Sequence, residues 1–178
     1  MLDRYKQFLI EFDKVLSEYY SSQKDYICCK KGCTECCEIG DYPFSRLEAE
    51  YIMQGYTKLS VNLQKQVKQN IKNLINAKQT SSYRCPFLIN SECSLYDYRG
   101  IVCRTFGFAY VDDGIIKLPE CVNSGLNYSR VYDKNKKEVL LTNPIRDNLR
   151  IDSILRSPLA EKYELECGEI RPLIKWFL

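Results

Sequence analysis

The sequence predicts an α+β fold, a helix-rich single domain over residues 1–178 with a small β-hairpin. Two helical periodicities, across residues 5–20 and 60–78, supply the α part. The stretch FAYVDDGIIKL, residues 108–118, alternates β-formers around Asp113-Gly114 and supplies the hairpin. Most of the ten cysteines fall into two groups on either side of a helical insert. Bringing those groups together would staple the domain with a cysteine-ligated metal site.

Each element follows from local pattern. Tyr5, Phe8, Leu9, Phe12, Val15, Leu16, Tyr19 and Tyr20 recur at three- and four-residue spacings, which predicts a core-covering helix that Ser21-Ser22 interrupts. Residues 28–37, CCKKGCTECC, carry five cysteines and no helix or strand pattern, and Gly32 permits a tight turn there. A second helix starts at Ser45, where Ser-Arg-Leu-Glu reads as a capping box ending at Glu48, and Gly55 is its expected stop. A third runs from about Ser60 to Lys78 with Leu63, Val67, Ile71, Leu74 and Ile75 inward. Its Lys65, Lys68 and Lys72 form a solvated face, since no aromatics are interleaved with them. Thr80–Tyr83 is a polar connector into the second cysteine region, residues 84–108. After the hairpin, an extended stretch is expected at Glu138–Leu141, a boundary at Asn143-Pro144, and one or two short helices before Trp176.

Composition narrows the chemistry. A chain of 178 residues, 45% of them hydrophobic, suits one domain with its own core. The net charge of +3, with acids and bases mixed, gives no strong nucleic-acid signal. No run approaches the roughly 18 apolar residues of a membrane span. The opening MLDRYKQFLIEFDKVL lacks the plan of a signal peptide, so a cytoplasmic location is expected. In that reducing setting clustered thiols serve metals or redox chemistry more often than structural disulfides. Histidine is absent, which excludes Cys-His and Ser-His catalysis, histidine-ligated zinc and any histidine general base. Crowded thiolates select zinc, Cu(I) or iron–sulfur clusters over magnesium or calcium.

From Cys29 the first group reads C-x3-C-x2-C-C, and the second presents Cys85, Cys93, Cys103 and Cys121. Short spacings let a loop wrap one ion, whereas the wider ones need the fold to gather their ligands. In an extended segment Cys36 and Cys37 would point to opposite sides. The eight thiols fit two mononuclear sites, one binuclear site, or a four-thiolate cluster with spare thiols. Lys30, Lys31, Arg84, Arg99 and Arg104 are placed to offset thiolate charge, and Phe87, Phe106 and Phe108 to limit solvent. Asp112-Asp113 is turn chemistry, Asn127-Tyr128-Ser129 a coincidental glycosylation sequon, and Tyr96 and Tyr98 packing residues.

CCKKGCTECC, then Cys85-Pro86-Phe87-Leu88, then Cys93 with Tyr96 and Arg99, and finally Cys103-Arg104, resemble the CxxCxxCC (YkgJ-like) cysteine-cluster family, described as a zinc- or iron-chelating domain. The resemblance covers about residues 26–125. Gly100 stands where that family usually has proline, and three residues rather than two separate its first cysteines. The resemblance implies Cys29, Cys33, Cys36, Cys37, Cys85, Cys93 and Cys103 as the metal-associated set, with Cys121 next. It is also distantly similar to the cysteine-cluster domain of flagellin lysine N-methylases, although no G-x-G nucleotide loop is present here. The leading expectation is a metal-binding protein holding zinc or an iron–sulfur cluster and presenting a surface to a protein partner. The alternatives are an iron–sulfur enzyme or enzyme component, in protein lysine N-methylation, and a thiol redox or metal-trafficking protein.

Overall fold

Helix α1, Leu2–Gln23, buries Tyr5, Phe8, Leu9, Phe12 and Leu16 on one stripe. The computed structural model describes residues 1–30, 32–78, 82–141, 145 and 147–178. The helix continues through Ser21 and Ser22, whose hydroxyls bond back to carbonyls of their own helix, Ser17 and Tyr19. Val15 and Tyr20, expected on the stripe, are exposed, so the buried face is narrower than its apolar residues suggest.

A four-residue helical turn, α2, Glu35–Glu38, lies inside the first cysteine group, where no regular element was expected. Strand β1, Pro43–Ser45, leads into α3, Arg46–Thr57. The capping box forms as read: Ser45 accepts from the Glu48 amide, and the Glu48 carboxylate accepts from the Ser45 amide at 2.9 Å. Gly55 does not end α3. It is buried inside the helix, where its bare Cα admits the Tyr98 ring. Helix α4, Val61–Asn76, is capped by Ser60. Only Val67 is fully buried; Leu63, Ile71, Leu74 and Ile75 are half-buried, and Lys65, Lys68 and Lys72 are exposed.

Four two-stranded antiparallel pairs complete the β part among the described residues. Strands β2, Leu88–Ile89, and β3, Glu92–Cys93, turn at Asn90-Ser91, both at positive φ. Helix α5, Ile101–Thr105, follows. Strands β4, Tyr110–Asp112, and β5, Ile115–Lys117, turn at Asp113-Gly114 with φ of 49° and 75°, the expected hairpin. Strands β6, Tyr132–Asp133, and β7, Glu138–Val139, form a further hairpin where a lone extended stretch was expected. Two short helices, α6, Ile151–Ile154, and α7, Pro158–Lys162, precede β8, Ile170–Pro172, which returns to pair with β1. Thr80, Ser81, Asn143 and Pro144, and with them parts of the expected connector and boundary, lie outside the described residues, as does Lys31.

The interior divides in two. One core packs the α1 stripe against Tyr51, Ile101, Phe108, Tyr128 and Ile154. A smaller one gathers Phe44, Ile52, Val67, Phe87, Ile89, Leu95 and Leu173. Each fully buried aliphatic or aromatic side chain contributes about 1.5–3 kcal/mol. Glu48 sits within this framework, completely buried, accepting also from the Ile101 amide at 2.8 Å. Among the described residues no helix is long and apolar enough to cross a membrane.

Candidate metal centre

The first cysteine segment is shaped by its turns. Cys33 donates its amide to the Lys30 carbonyl with Gly32 at φ 92°, and Cys37 and Glu38 then close on the Thr34 carbonyl. The helical turn changes the expected geometry of Cys36 and Cys37. Instead of pointing apart, their sulfurs lie 4.0 Å from each other. Backbone pairing joins this segment to the second cysteine region. The Cys85 amide donates to the Cys37 carbonyl at 2.7 Å, and Gly40 bridges Tyr83. A side chain at Gly40 would meet the Tyr83 carbonyl at 2.6 Å, so the bare Cα is what lets the two stretches approach.

The hairpin β2–β3 delivers Cys93, and α5 delivers Cys103. The result is a cavity of about 210 Å³ lined by Cys33, Cys36, Cys37, Cys85, Cys93 and Cys103. Phe44, Ile52, Phe87, Leu95 and Leu173 form its apolar walls, and Arg99 is its cation. Arg99 is fixed by donating to the Tyr96 carbonyl and lying 3.6 Å over the Tyr96 ring. Of the other expected cations, Arg84 pairs with Glu38 at 3.3 Å and Arg104 with both oxygens of Asp13.

Crowding sets the protonation of these thiols. Cys36 is pushed well up, first by its contact with Cys37 and then by burial. At Cys37 the Cys36 contact lowers the pKa, but Cys85 and burial outweigh it and bring the thiol to about 12. Burial raises Cys93, and raises Cys103 further, with Cys36 and Cys93 adding to the latter. Uncharged thiols are the natural state of such a cluster without a cation.

Cys28, Cys29 and Cys121 form an adjoining outer group. Burial, then the neighbouring Cys29, brings Cys121 to about 11. Although Cys29 is exposed as a residue, its sulfur lies against Gly107 and Asn127; desolvation raises its pKa, and the Asn127 hydrogen bond opposes the rise without cancelling it. Cys33 belongs to both sets: it lines the cavity and acts electrostatically on Cys29 and Cys121. Cys167 stands apart beside Glu48, brought to about 11 by burial and then by that carboxylate. The fold thus gathers six of the eight sequence-expected thiols on one cavity and places Cys29 and Cys121 in the outer group. Among the described residues no group of three or more cysteine, aspartate or glutamate side chains is arranged to hold a metal ion.

Two residues with no chemical signal in the sequence belong to this region. Tyr42 packs on Phe106 with ring centroids 5.2 Å apart, and its hydroxyl is buried without a hydrogen-bond partner. Burial raises its pKa, and Cys36, Glu120 and Cys103 add to the rise. Asn127, legible only as part of a sequon, is 1% exposed and hydrogen-bonded to both Cys28 and Cys29. The other two expected phenylalanines separate: Phe87 walls the cavity, whereas Phe108 packs edge-on against Tyr19. Tyr96 and Tyr98 both border the cavity, and Tyr98 also packs on Tyr51. Asp113 occupies a turn as read, while Asp112 pairs with Arg150 at 3.1 Å.

Compared with protein-family models, curated proteins and solved structures, the chain matches none of them.

Proposed function

We propose that this chain is a metal-binding protein, holding zinc or an iron–sulfur cluster on cysteine thiolates at a site that joins its two cysteine regions. The donor set is Cys29, Cys33, Cys36, Cys37, Cys85, Cys93 and Cys103, with Cys121 next. The observation that carries this reading is that six thiols, from both regions, line one cavity of about 210 Å³.

Three features support the fit. The donors are soft sulfurs without histidine, the ligand type of zinc and iron–sulfur centres. Two sulfurs held about 2.3 Å from one zinc in a tetrahedron lie about 3.8 Å apart, and Cys36 and Cys37 stand at 4.0 Å. The Tyr42 hydroxyl is a buried donor without an acceptor, within electrostatic reach of Cys36 and Cys103. Thiolate charge on a loaded site would act favourably on that hydroxyl, whose unpaired burial costs about 1–3 kcal/mol. The remaining sulfurs do not converge as they stand, so binding closes the shell by side-chain rotation, in keeping with metal sites that complete themselves on loading. Arg99 offsets negative charge, and Phe87 and Leu173 keep water out.

Anaerobic purification followed by zinc, iron and acid-labile sulfide per chain, with an absorption spectrum, tests the reading. Stoichiometric zinc without sulfide identifies a structural module. Iron with matching sulfide and a broad visible band identifies a cluster. Neither metal, with thiols that oxidise reversibly, would remove the proposal in favour of a thiol redox or trafficking role, which the Cys36–Cys37 contact favours as the second reading. The enzyme alternative, in lysine N-methylation, rests on the resemblance alone.

A further inference from the structure

Adjacent cysteines are chemically alike, and Cys28 and Cys29 differ here only in what they face. Asn127 faces both. Its Oδ1 accepts from the Cys28 amide at 2.8 Å, and its Nδ2 donates to the Gly107 carbonyl at 2.6 Å. A backbone N–H only donates and a carbonyl only accepts, so these two bonds fix which end of the amide is oxygen and which nitrogen. The remaining bonding positions of the amide are thereby assigned. Oδ1 takes a hydrogen from Cys28 Sγ at 3.0 Å, and the second Nδ2 hydrogen points at Cys29 Sγ at 3.0 Å. Cys28 is held as a hydrogen donor, which a metal-bound sulfur is not. Cys29 is held as an acceptor, as a metal-bound sulfur is.

We propose that Asn127 is a positioning residue of the metal site, sorting the adjacent pair so that Cys29 ligates and Cys28 stays a spare thiol. The inference rests on the metal-binding reading above. Its ground is geometric: an amide 1% exposed, with four hydrogen bonds that admit one orientation. Gly107 completes the device, since its carbonyl takes one amide hydrogen and its missing Cβ leaves the space that Cys29 Sγ occupies. The chemistry matches a recurrent role of outer hydrogen bonds, which orient a ligand and stabilise charge on its donor atom. Loss of such a bond lowers metal affinity about 10–100-fold.

The test compares Cys28→Ala, Cys29→Ala, Asn127→Asp and the double variant Cys29→Ala/Asn127→Asp with wild type, in the full chain purified anaerobically. Metal per chain and the rate of metal transfer to a chromogenic chelator are measured, with circular dichroism reporting the fold. The isosteric Asn127→Asp keeps an acceptor for the Cys28 amide and removes the donors to Cys29 and to the Gly107 carbonyl, the second of which it loses whether or not Cys29 is present. Cys28→Ala should retain wild-type metal and release rate, whereas Cys29→Ala should lose metal or release it at least about tenfold faster. Asn127→Asp should release faster with Cys29 present and have a clearly smaller effect in its absence, where only the Gly107 bond is lost. A merely structural role would instead give Asn127→Asp the same added effect in both backgrounds. Metal-loaded wild type with Cys28→Ala depleted as far as Cys29→Ala, or an undiminished Asn127→Asp effect without Cys29, overturns the inference and leaves the metal reading standing. A wild-type chain with neither zinc nor iron overturns both.

Discussion

Gly107 shows how much of the site depends on a single missing carbon. A Cβ there would lie well inside contact distance of Cys29 Sγ and 2.9 Å from the Asn127 amide nitrogen. Gly107→Ala should therefore destabilise the chain by about 1–3 kcal/mol, the usual cost of overpacking, measured as a lowered urea midpoint. An unchanged midpoint would mean that the 28–29 segment moves aside freely. Glu48 is the other residue whose surroundings make a sharp forecast. Burial raises its pKa, while bonds from Ser45 and Ile101 pull it down without cancelling the rise. The folded chain then holds the proton more tightly than the unfolded chain. Its stabilising contribution is complete below the unfolded carboxyl value and is lost as pH rises through the folded one. Tyr5 and Cys167, the neighbouring titratable groups, are both raised and keep their protons across that window. Urea midpoints from about pH 4 to 8 should show this falling component in wild type and not in Glu48→Gln. Equal slopes in the two proteins would rule it out. Glu48 also explains Gly100, where a Cβ would meet its carboxylate and the Phe44 ring at 2.7 Å.

At the scale of elements, Gly55 sets helix propensity against packing. Alanine gains about 1 kcal/mol over glycine inside a helix, but the new Cβ would press into the Tyr98 ring. Overpacking costs about 1–3 kcal/mol, so Gly55→Ala should lower the denaturation midpoint rather than raise it. Ser45→Ala should cost about 1–2 kcal/mol in the same measurement, since the Glu48 amide and the Glu48 carboxylate each lose a bond to the Ser45 hydroxyl. What sequence pattern revealed follows the range of each interaction. The capping box and the Asp113-Gly114 hairpin were legible because their determinants lie within four residues. Helix α1 was legible because its stripe repeats over several turns. The turn α2 is too short for any period to show, and that concealed the meeting of Cys36 with Cys37. The pairing of β1 with β8 has a partner distant in the chain, so neither strand carries a signal for it. The metal chemistry was suggested by counting cysteines, whereas their division between the cavity and the outer group depends on long-range contacts such as Cys85 with Cys37 and Asn127 with Cys28 and Cys29, of which local sequence gives no hint.

For the whole molecule, the two cores have unequal ties to the cysteines. The smaller one includes Phe87, Leu95 and Leu173 and has Cys85, Cys93 and Cys103 packed against it; the larger rests on the α1 stripe. On the metal-binding proposal, treatment with a chelator should therefore speed amide hydrogen exchange first around Ile52, Val67 and Leu95, with Phe8, Leu9 and Phe12 holding protection longer. Simultaneous loss in both cores would show that the metal supports the entire fold as one cooperative unit. The pairing of β1 with β8 adds a dimension of time. Leu173, which walls the thiol cavity, directly follows β8 and donates its amide to the Tyr42 carbonyl. On the ribosome, every cysteine of the cavity emerges before that wall does. Leu173 is thus the last part of the cavity wall to be synthesised, after all six of the thiols that it covers.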